Sequence, residues 1–382
     1  MKKKVFTAIG LMSGTSMDGV DLSLIKSDGN TNFIHVLDDY FEFKDDLREK
    51  ILYLRNNLLV FEDLKKFSNE LEQIDREFTL FNGKIVNKIL EDYKDKVDLI
   101  GFHGQTVFHD SDKKISKQLG DGNLLSQITQ KIVVSDFRKK DLINGGQGAP
   151  LTPIFHKLLS NFLNKKYKIS YPINILNIGG ITNITQIFGR SNSFEKDISA
   201  LDIAPGNCLI DQWVRKNSKK KFDENGDIAK SGKINHLILN QAIDNFETFK
   251  FEKSLDINDF DISFVKGLSF EDGCATLTKF TAHLISKGIE FSNNLNESFP
   301  TNNLICGGGR KNIFLLRLIE ENINLKKANV IDIDKFKLNG DFLESQAFGY
   351  LSIRTFLKMP ISFPKTTRCK SPTVGGKIHK NF

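Results

Sequence analysis

The sequence predicts an α/β protein built from two related domains. Its 382 residues correspond to about two domains of roughly 100–200 residues each. A short apolar strand, a turn of small residues and a second, alternating strand occupy residues 5–25, and the same design returns at residues 173–187. Two such units along one chain suggest a duplicated domain.

Composition narrows the class of protein. With 40% hydrophobic and 26% charged residues, the chain has the composition of an ordinary globular protein. Its formal net charge of +7 is a mild excess that does not by itself predict nucleic-acid binding. The four cysteines have no paired spacing, which predicts a reduced, cytoplasmic protein. No apolar stretch of about 18 residues occurs, so we expect no membrane partner.

The first domain is expected to start with a strand at residues 5–11, a turn at 12–19 and a strand at 20–25. Apolar residues recur at helical spacing from 44 to about 93, which predicts helices packed on that sheet. Two later strands, 99–102 and 131–135, each run into polar residues. Open α/β sheets bind their ligands at the carboxyl ends of their strands, so these ends are candidate sites.

The second domain is expected to contain the repeated strands, a Gly-rich strand end at residues 303–312 and a helix at 344–357 that Pro360 ends. We therefore predict that residues 1–138 and 361–382 form one domain and residues 139–360 the other.

The first turn is a candidate phosphate-binding loop. Its small residues let backbone N–H groups converge on an anion, and the hydroxyls of Thr15 and Ser16 add donors. Asp18 or Asp21 could hold a metal through water. Neither a Walker A motif nor a dinucleotide fingerprint is present, and a plain hairpin turn is the alternative. The matching turn at residues 179–183 favours the phosphate site, because two such hairpins facing each other would make one site.

Asp202 is a candidate general base. It follows residues 199–201, and Pro205 and Gly206 after it force a turn, which would hold the carboxylate at a fixed angle. A carboxylate fixed at a sheet edge can take a proton from a reacting group. The structural alternative is a helix N-cap or an Asx turn.

Two further segments offer candidate substrate contacts. Arg138 could fork onto a substrate carboxylate, while the glycines of residues 145–148 let the backbone approach a ligand closely; a structural loop is the alternative. His103 follows an apolar strand and is either a buried imidazole or, with residues 104–106 beside it, a substrate contact. No residue spacing supports a structural zinc or a serine hydrolase elbow.

In this order, the motifs resemble those of the anhydro-N-acetylmuramic acid kinase family, within the actin, hexokinase and heat-shock-ATPase fold group. The matching stretches span nearly the whole chain: 9–21, 101–106, 118–123, 135–138 with 145–151, 176–183, 202–211, 306–312 and 344–351.

The resemblance implies two ribonuclease-H-like (actin-type ATPase) domains with an interdomain cleft, ATP in that cleft, Mg²⁺ on the phosphates of ATP, and a homodimer. The implied enzyme opens the 1,6-anhydro bridge of the muramyl sugar with water and phosphorylates the released O6. Its product would be N-acetylmuramate 6-phosphate, formed during recycling of the cell wall.

The same resemblance assigns roles to residues that match the family motifs. Asp202 would be the base that activates the water. The ATP phosphate loop would comprise Gly14, Thr15, Ser16, Met17, Asp18, Gly19, Val20 and Asp21. From the second domain, Gly179, Gly180 and Asn183 would face this loop, and Gly307, Gly308 and Gly309 resemble the strand end that receives the nucleoside. His103, Arg138 and Glu344 fall at positions that look like sugar contacts, with Arg138 a candidate for the lactyl carboxylate. Metal ligands are not assigned.

The chain departs from the family pattern at three places. Ile203 and Ala204 replace the small polar residue and glycine that usually precede Pro-Gly. Lys139 and Lys140 stand where the family often carries arginines, which keeps the charge but loses the planar fork. After residues 253–254 the family often shows Thr-Gly-Arg-Glu, whereas this chain reads Leu255, Asp256, Ile257 and Asn258, so no arginine role is carried over there.

Two other functions stay open at this point. One is a related sugar kinase in which Asp202 deprotonates an ordinary hydroxyl. The other is an actin-type nucleotide-sensing or assembly protein without turnover. The combination of a candidate base with Arg138 and His103 argues against it, because a binding module needs no base.

Overall fold

A computed structural model describes residues 4–189, 194–246, 255, 257–295, 302–323 and 329–382. Its strands are β1 (Phe6–Ser13), β2 (Gly19–Ser27), β3 (Phe33–Glu42), β4 (Leu99–Asp110), β5 (Ile115–Leu119), β6 (Ile132–Ser135), β7 (Ile173–Ile178), β8 (Ile181–Ile187), β9 (Ile198–Pro205), β10 (Asn302–Cys306), β11 (Asn329–Asp332) and β12 (Lys377–His379). Its α-helices are α1 (Asp45–Asn57), α2 (Asp63–Lys66), α3 (Ser68–Asp92), α4 (Gly122–Thr129), α5 (Lys139–Ile143), α6 (Pro153–Tyr167), α7 (Phe194–Asp197), α8 (Cys208–Asn217), α9 (Asp227–Ser231), α10 (His236–Phe246), α11 (Phe270–Leu295), α12 (Ile313–Asn322), α13 (Leu343–Phe356) and α14 (Pro364–Thr367).

The chain divides into two compact units. Unit 1 comprises residues 1–159 and 342–382, and unit 2 comprises residues 160–341. Residues 139–159 and 342–360, which the sequence analysis assigned to the second domain, therefore lie in unit 1. The reason is tertiary: α13 packs against β1, β2 and β4, and buried Asp141 accepts hydrogen bonds from the hydroxyls of Ser362 and Thr367.

The sheet of unit 1 has the order β12-β6-β4-β1-β2-β3, with β5 also paired to β4. Strands β1, β4 and β6 are mutually parallel, whereas β2 is antiparallel to both β1 and β3. Every residue of β1 is buried, as expected for a central strand covered on both faces.

The sheet of unit 2 repeats this design with the order β11-β10-β7-β8-β9. Here β7, β10 and β11 are parallel, and β8 is antiparallel to both β7 and β9. Without β5 and β12, the two sheets share one strand order and one set of strand directions, which is the topology of the ribonuclease-H-like fold. The predicted duplication is confirmed.

Two glycines allow α13 to lie directly on the sheet of unit 1. A Cβ added at Gly10 of β1 would sit 1.9 Å from the carbonyl oxygen of Ser345, and one at Gly101 of β4 would sit 2.1 Å from that of Phe348. Any side chain at either position would force the helix away. This close packing places the first turn of α13, and with it Glu344, on the sheet of unit 1.

Several elements run longer than the sequence predicts. Strand β4 continues from Leu99 to Asp110, so residues 103–106 lie inside it rather than after it. The extension exists because β5 pairs antiparallel with the second half of β4. The helical periodicity at residues 44–93 is confirmed by α1, α2 and α3. In the part of the chain that the structure describes, every helix is too short or too polar to cross a bilayer.

Candidate active site

The turn between β1 and β2 exposes the small residues of the predicted phosphate loop. Thr15 and Ser16 are exposed and Gly14 is partly exposed. The N–H of Met17 donates to Gly14 O (3.2 Å), and Ser16 Oγ donates to Asp18 Oδ1 (2.6 Å). Met17 adopts a left-handed φ of 54° with its side chain 2% exposed. The turn therefore presents hydroxyls and backbone to solvent while Met17 anchors it in the core.

Gln105 on β4 holds the base of this turn in place by hydrogen bonds. Its Nε2 donates to Gly14 O (3.1 Å), and its Oε1 accepts from Ser13 Oγ (2.6 Å). Gln105 is itself buried at 1% exposure. The sequence placed Gln105 among residues beside a substrate contact; the structure gives it a supporting role, because the parallel pairing of β1 with β4 sets Ser13 opposite Gln105.

The last residues of the predicted loop belong to β2. Val20 lies in the hydrophobic core at 1% exposure, so only its backbone is available to a ligand. Gly19 is required by packing, since an added Cβ would sit 2.5 Å from Phe41 O. Asp21 is partly exposed and pairs with Met12 across the hairpin.

Three glycines at the predicted nucleotide site are not required by the chain's own packing. A Cβ added at Gly14 would meet no atom within 4 Å; at Gly308 and Gly179 the nearest atoms would be at 3.9 and 3.6 Å, which is ordinary contact. None of the three has a left-handed φ. The space in front of each backbone is therefore open, as a phosphate or nucleoside bound against main-chain N–H groups would need.

In unit 1, His103 and Arg138 form a hydrogen-bonded pair. Arg138 donates from Nε (3.2 Å) and Nη2 (2.9 Å) to His103 Nε2, and from Nη1 to Gly148 O (2.8 Å). His103 Nδ1 lies 2.8 Å from Gly104 O. Because Nε2 accepts from a guanidinium, the imidazole is neutral and carries its proton on Nδ1. Burial lowers the pKa of His103 well below its usual value, and the charge of Arg138 lowers it further.

Glu344 is the third predicted sugar contact, and it is coupled to the same arginine. It stands in the first turn of α13 and is partly exposed. Burial raises its pKa above the ordinary value, while the positive charge of Arg138 opposes the shift. Next to them, the ring of Phe348 packs against His103 with centroids 4.4 Å apart. The structure thus brings the three predicted sugar contacts together within unit 1.

In unit 2, the second Gly turn is bonded to the start of α8. Gly180 O accepts from Gly206 N (2.8 Å), and Gly179 O accepts from Asn207 N (2.7 Å). A Cβ at Gly206 would lie 2.1 Å from Gly179 O, so only glycine permits this approach. Pro205 ends β9, and Gly206 links it to α8; in the structure this link fixes the Gly179 turn.

Asp202 lies inside β9 rather than after a strand, which corrects the sequence interpretation. Strand β9 continues to Pro205 because its residues keep pairing with β8. The pairing shifts register at this point: Thr182 faces Ala204, but the next residue of β8 faces Asp202. One residue of β9 is therefore extra, and such β-bulges re-aim side chains and are common beside active sites.

The carboxylate of Asp202 has a fixed orientation. Its Oδ2 accepts a hydrogen bond from the N–H of Leu255 (3.0 Å), and the residue is 9% exposed. Leu255 opens the segment that departs from the family pattern; residues 253, 254 and 256 of that segment lie outside the described residues. A backbone N–H cannot rotate away, so it orients the carboxylate independently of any side chain there.

Asn183 stands opposite Asp202 in the register of β8 and β9. Its Oδ1 is buried and has no hydrogen-bond partner among the described residues. An unsatisfied buried carbonyl costs about 1–3 kcal/mol, so a bound donor at this position would relieve it. This observation fits the predicted ligand role of Asn183.

The third Gly-rich turn, at the carboxyl end of β10, is held by an arginine. Gly307 has a φ of 77°, and its N–H donates to Gly340 O (3.0 Å). A Cβ at Gly309 would lie 2.2 Å from Ile178 Cγ2. Arg310, which is 4% exposed, donates from Nη1 to Gly307 O (3.1 Å). The sequence analysis missed Arg310; its position directly after three glycines is the signal that could have found it.

The donor set fits a magnesium ion held mainly by a nucleotide. No group of three or more His, Cys, Asp or Glu side chains within the described ranges could hold a metal. Mg²⁺ bound to phosphates keeps several waters and needs only one or two carboxylates. Asp18 and Asp21, beside the first turn, would be available in that number.

The predicted residues thus form two groups, one in each unit, and the Gly-rich turns follow the carboxyl ends of β1, β7 and β10. Duplicated ribonuclease-H-like units with Gly-rich turns at these ends define the class of protein, the actin-type ATPase fold.

Comparison with known proteins gives the family. A family model described as anhydro-N-acetylmuramic acid kinase matches residues 6–381. The enzyme of that name from Pelagibacter ubique is 48% identical over 382 residues, covering 100% of both chains. Those from Zymomonas mobilis and Agrobacterium fabrum are 37% and 34% identical, covering 97% and 98% of this chain and 99% of each relative. The chain belongs to the anhydro-N-acetylmuramic acid kinase family and is an enzyme of the kinase class.

Among solved structures, the activator of the 2-hydroxyisocaproyl-CoA dehydratase from Clostridium difficile with bound ADPNP is similar at a TM-score of 0.40 and 11% identity, over 92% of this chain and 96% of that one. A similarity at this level supports no functional assignment.

Proposed function

We propose that this kinase uses ATP to open 1,6-anhydro-N-acetylmuramic acid with water and to phosphorylate the released O6. The product would be N-acetylmuramate 6-phosphate, an intermediate in the recycling of peptidoglycan. The observation that carries the proposal is the family match over residues 6–381. It is supported by Asp202, a strand carboxylate whose orientation is fixed by a backbone N–H.

The chemistry explains why a base is needed. An anhydro sugar has no free 6-hydroxyl, so a water must attack C1 while the C1–O6 bond breaks. Asp202 would accept the proton of that water as its oxygen bonds to C1. ATP, with Mg²⁺ on its phosphates, supplies the phosphoryl group that O6 receives. The register neighbour Asn183 would contribute an amide beside the base.

The binding groups follow from the geometry of each unit. The open backbones at Gly14, Gly179 and Gly308 would accept phosphate and nucleoside atoms. Arg138 would bind the lactyl carboxylate, because a guanidinium matches the geometry of a carboxylate with two parallel N–H groups. His103 would hold Arg138 in place as a neutral acceptor.

The reaction is tested by incubating the enzyme with ATP, Mg²⁺, the anhydro sugar and ¹⁸O-labelled water. We expect ADP formation and one solvent oxygen on C1 of the product. ADP formation without ¹⁸O at C1 would show instead that an ordinary hydroxyl is phosphorylated. No ADP formation with any muramyl sugar would favour a nucleotide-sensing protein.

The role of Asp202 is tested by Asp202→Asn, which is nearly isosteric but cannot take a proton. We expect kcat to fall by about 10²–10⁴-fold, the usual contribution of a positioned base, with little change in nucleotide affinity. Asp227→Asn, at an exposed position of unit 2, is the matched control and should keep normal activity. If Asp202→Asn kept a kcat near that of the original enzyme, the assignment of Asp202 as the general base would be wrong.

We also propose that the enzyme acts in the cytoplasm, where its phosphoryl donor is found, and as a homodimer, as the family resemblance implies. Light scattering of the purified protein measures the oligomeric state. A mass near 43.3 kDa, that of one chain, would contradict the homodimer.

A further inference from the structure

A cavity of about 340 Å³ opens in unit 1 where three strands begin. Its walls come from residues at the start of β1, β4 and β6, from the end of α13 and from the segment after β12. The volume is at the low end of the range for small-molecule sites, about 300–1,000 Å³. The proposed kinase function uses none of its residues.

The charge of the lining is strongly positive. Four lysines line the cavity, against a single acidic side chain, that of Asp98: they are Lys4, Lys96, Lys131 and Lys380. Asp98 is engaged, because its Oδ1 lies 3.1 Å from Lys96 Nζ and its Oδ2 accepts the N–H of Thr7 (3.0 Å). The cavity therefore carries an excess of positive charge that suits a dianion better than a monoanion.

Three phenylalanines share the rest of the lining with Val97, Leu99, Gln130 and Ile132. Phe6 and Phe356 meet edge to face with centroids 5.6 Å apart, and Phe382 lies at the rim with 53% of its surface exposed. The ammonium of Lys4 lies 4.9 Å from the centre of the Phe6 ring, and that of Lys380 lies 6.0 Å from the Phe382 ring. Positive charge and phenyl surface are thus interleaved, and a flat apolar group can pack on the rings while its anionic group meets the lysines.

The cavity lies at the opposite end of the sheet from the phosphate loop. Strand β1 runs from Phe6, which lines the cavity, to Ser13, which precedes Gly14. At about 3.3 Å per residue, the strand separates the two ends by about 20 Å. A small ligand in the cavity cannot reach the loop, so the two sites can be occupied together.

We propose that this cavity binds a small phosphorylated molecule that carries an aromatic ring. The phosphate dianion lies among the lysines, and the ring packs on the phenylalanines. Binding there is independent of nucleotide at the phosphate loop.

Phenyl phosphate is the probe, measured by calorimetric titration of the full chain in low-salt buffer. We expect it to bind more tightly than inorganic phosphate and more tightly than phenol, and to bind equally well to the Gly14→Ala variant, whose altered phosphate loop lies at the other end of β1. Absence of binding, or binding that Gly14→Ala abolishes, overturns the proposal. Inorganic phosphate binding as tightly as phenyl phosphate overturns the aromatic part of the assignment and leaves an anion patch only.

Two variants locate the site. Lys131→Gln combined with Lys380→Gln should weaken phenyl phosphate at least tenfold, whereas Lys65→Gln combined with Lys84→Gln, an equal charge change at exposed positions of the same unit, should weaken it less than twofold. Phe382→Ala should weaken phenyl phosphate but not inorganic phosphate, with the equally exposed Phe222→Ala as control. The variants should fold, because every substituted lysine and phenylalanine is at least partly exposed. Equal affinity of the test and control variants for phenyl phosphate overturns the proposal.

Discussion

The pair formed by His103 and Arg138 shows how one residue prepares another for binding. A buried imidazole whose pKa is held low stays neutral at physiological pH, and only a neutral imidazole can accept two N–H groups of a guanidinium. Arg138 is further tied to Gly148 O. Its side chain therefore has one conformation before any sugar arrives, which lowers the entropic cost of binding.

Arg138→Lys should raise the KM for the anhydro sugar about tenfold or more, with a smaller effect on the KM for ATP. A lysine keeps the charge but cannot donate to His103, Gly148 and a substrate carboxylate in fixed directions. Steady-state kinetics with each substrate varied gives the comparison, and Lys84→Gln, at an exposed position of the same unit, is the control. An unchanged sugar KM in Arg138→Lys would mean that Arg138 does not contact the sugar.

At the level of elements, the glycines in and beside the two repeated turns are present for two different reasons. Gly19 and Gly206 are demanded by backbone atoms within 2.5 Å and 2.1 Å of an added Cβ, whereas Gly14 and Gly179 face open space. The first kind maintains the fold, and the second kind leaves room for a ligand. One sequence motif thus combines both uses of glycine.

Gly14→Ala and Gly19→Ala should separate these uses. In Gly14→Ala the free energy of unfolding should change little, while the KM for ATP rises about tenfold, because the new methyl group occupies the space where a charge-assisted hydrogen bond would form. Gly19→Ala should instead destabilise the protein by about 1–3 kcal/mol through overpacking. Urea unfolding and ATP kinetics on both variants measure this. A strongly destabilised Gly14→Ala would contradict the open geometry.

Arg310 joins three segments around the Gly-rich end of β10. Its guanidinium donates to Asp334 Oδ2 (2.8 Å from Nη2), to Asp341 and to Gly307 O. Asp334 Oδ1 in turn accepts the N–H of Gly340, whose carbonyl accepts the N–H of Gly307. The shape of the proposed nucleoside turn therefore depends on the hydrogen bonds that the Arg310 guanidinium donates.

Arg310→Lys should cost about 1–3 kcal/mol of stability, because lysine cannot satisfy two carboxylates and a carbonyl at once. It should also raise the KM for ATP several-fold and leave the KM for the sugar nearly unchanged. Arg317→Lys, whose side chain is 71% exposed on α12, is the control. Equal effects on both KM values would show a general loss of structure rather than a role in positioning the turn.

For the whole molecule, three buried histidines with lowered pKa values set how stability responds to acid. Burial lowers the pKa of His156 to about 3, burial with Arg138 lowers that of His103 well below 6.5, and burial also lowers that of His379. Unfolded, each group would take up a proton below about pH 6.5, whereas in the folded protein each takes it up only at lower pH. Stability is therefore complete above this pH and is lost as the pH falls below it. His35, whose pKa Asp38 raises, opposes the loss but is partly exposed.

We expect the free energy of unfolding to fall between about pH 6.5 and 5 by up to about 1.4 kcal/mol per pH unit for each buried histidine. Urea unfolding across this range measures the slope. His156→Gln should reduce the slope by up to about 1.4 kcal/mol per pH unit, the contribution of one group, and His236→Gln, at an exposed position, serves as the control. A slope that His156→Gln leaves unchanged would contradict the prediction.

Sequence alone determined the duplicated α/β design, the Gly-rich turns and the family motifs, because apolar periodicity and small residues at strand ends are local properties of the chain. Only the tertiary structure decided how distant segments meet. Gln105 fastens a turn 91 residues before it in the chain, and α13 joins unit 1 because glycines in β1 and β4 admit it. Asp202 lies in a bulged strand because β8 pairs with β9 beyond it. These outcomes depend on backbone approach between remote segments, which local pattern does not encode.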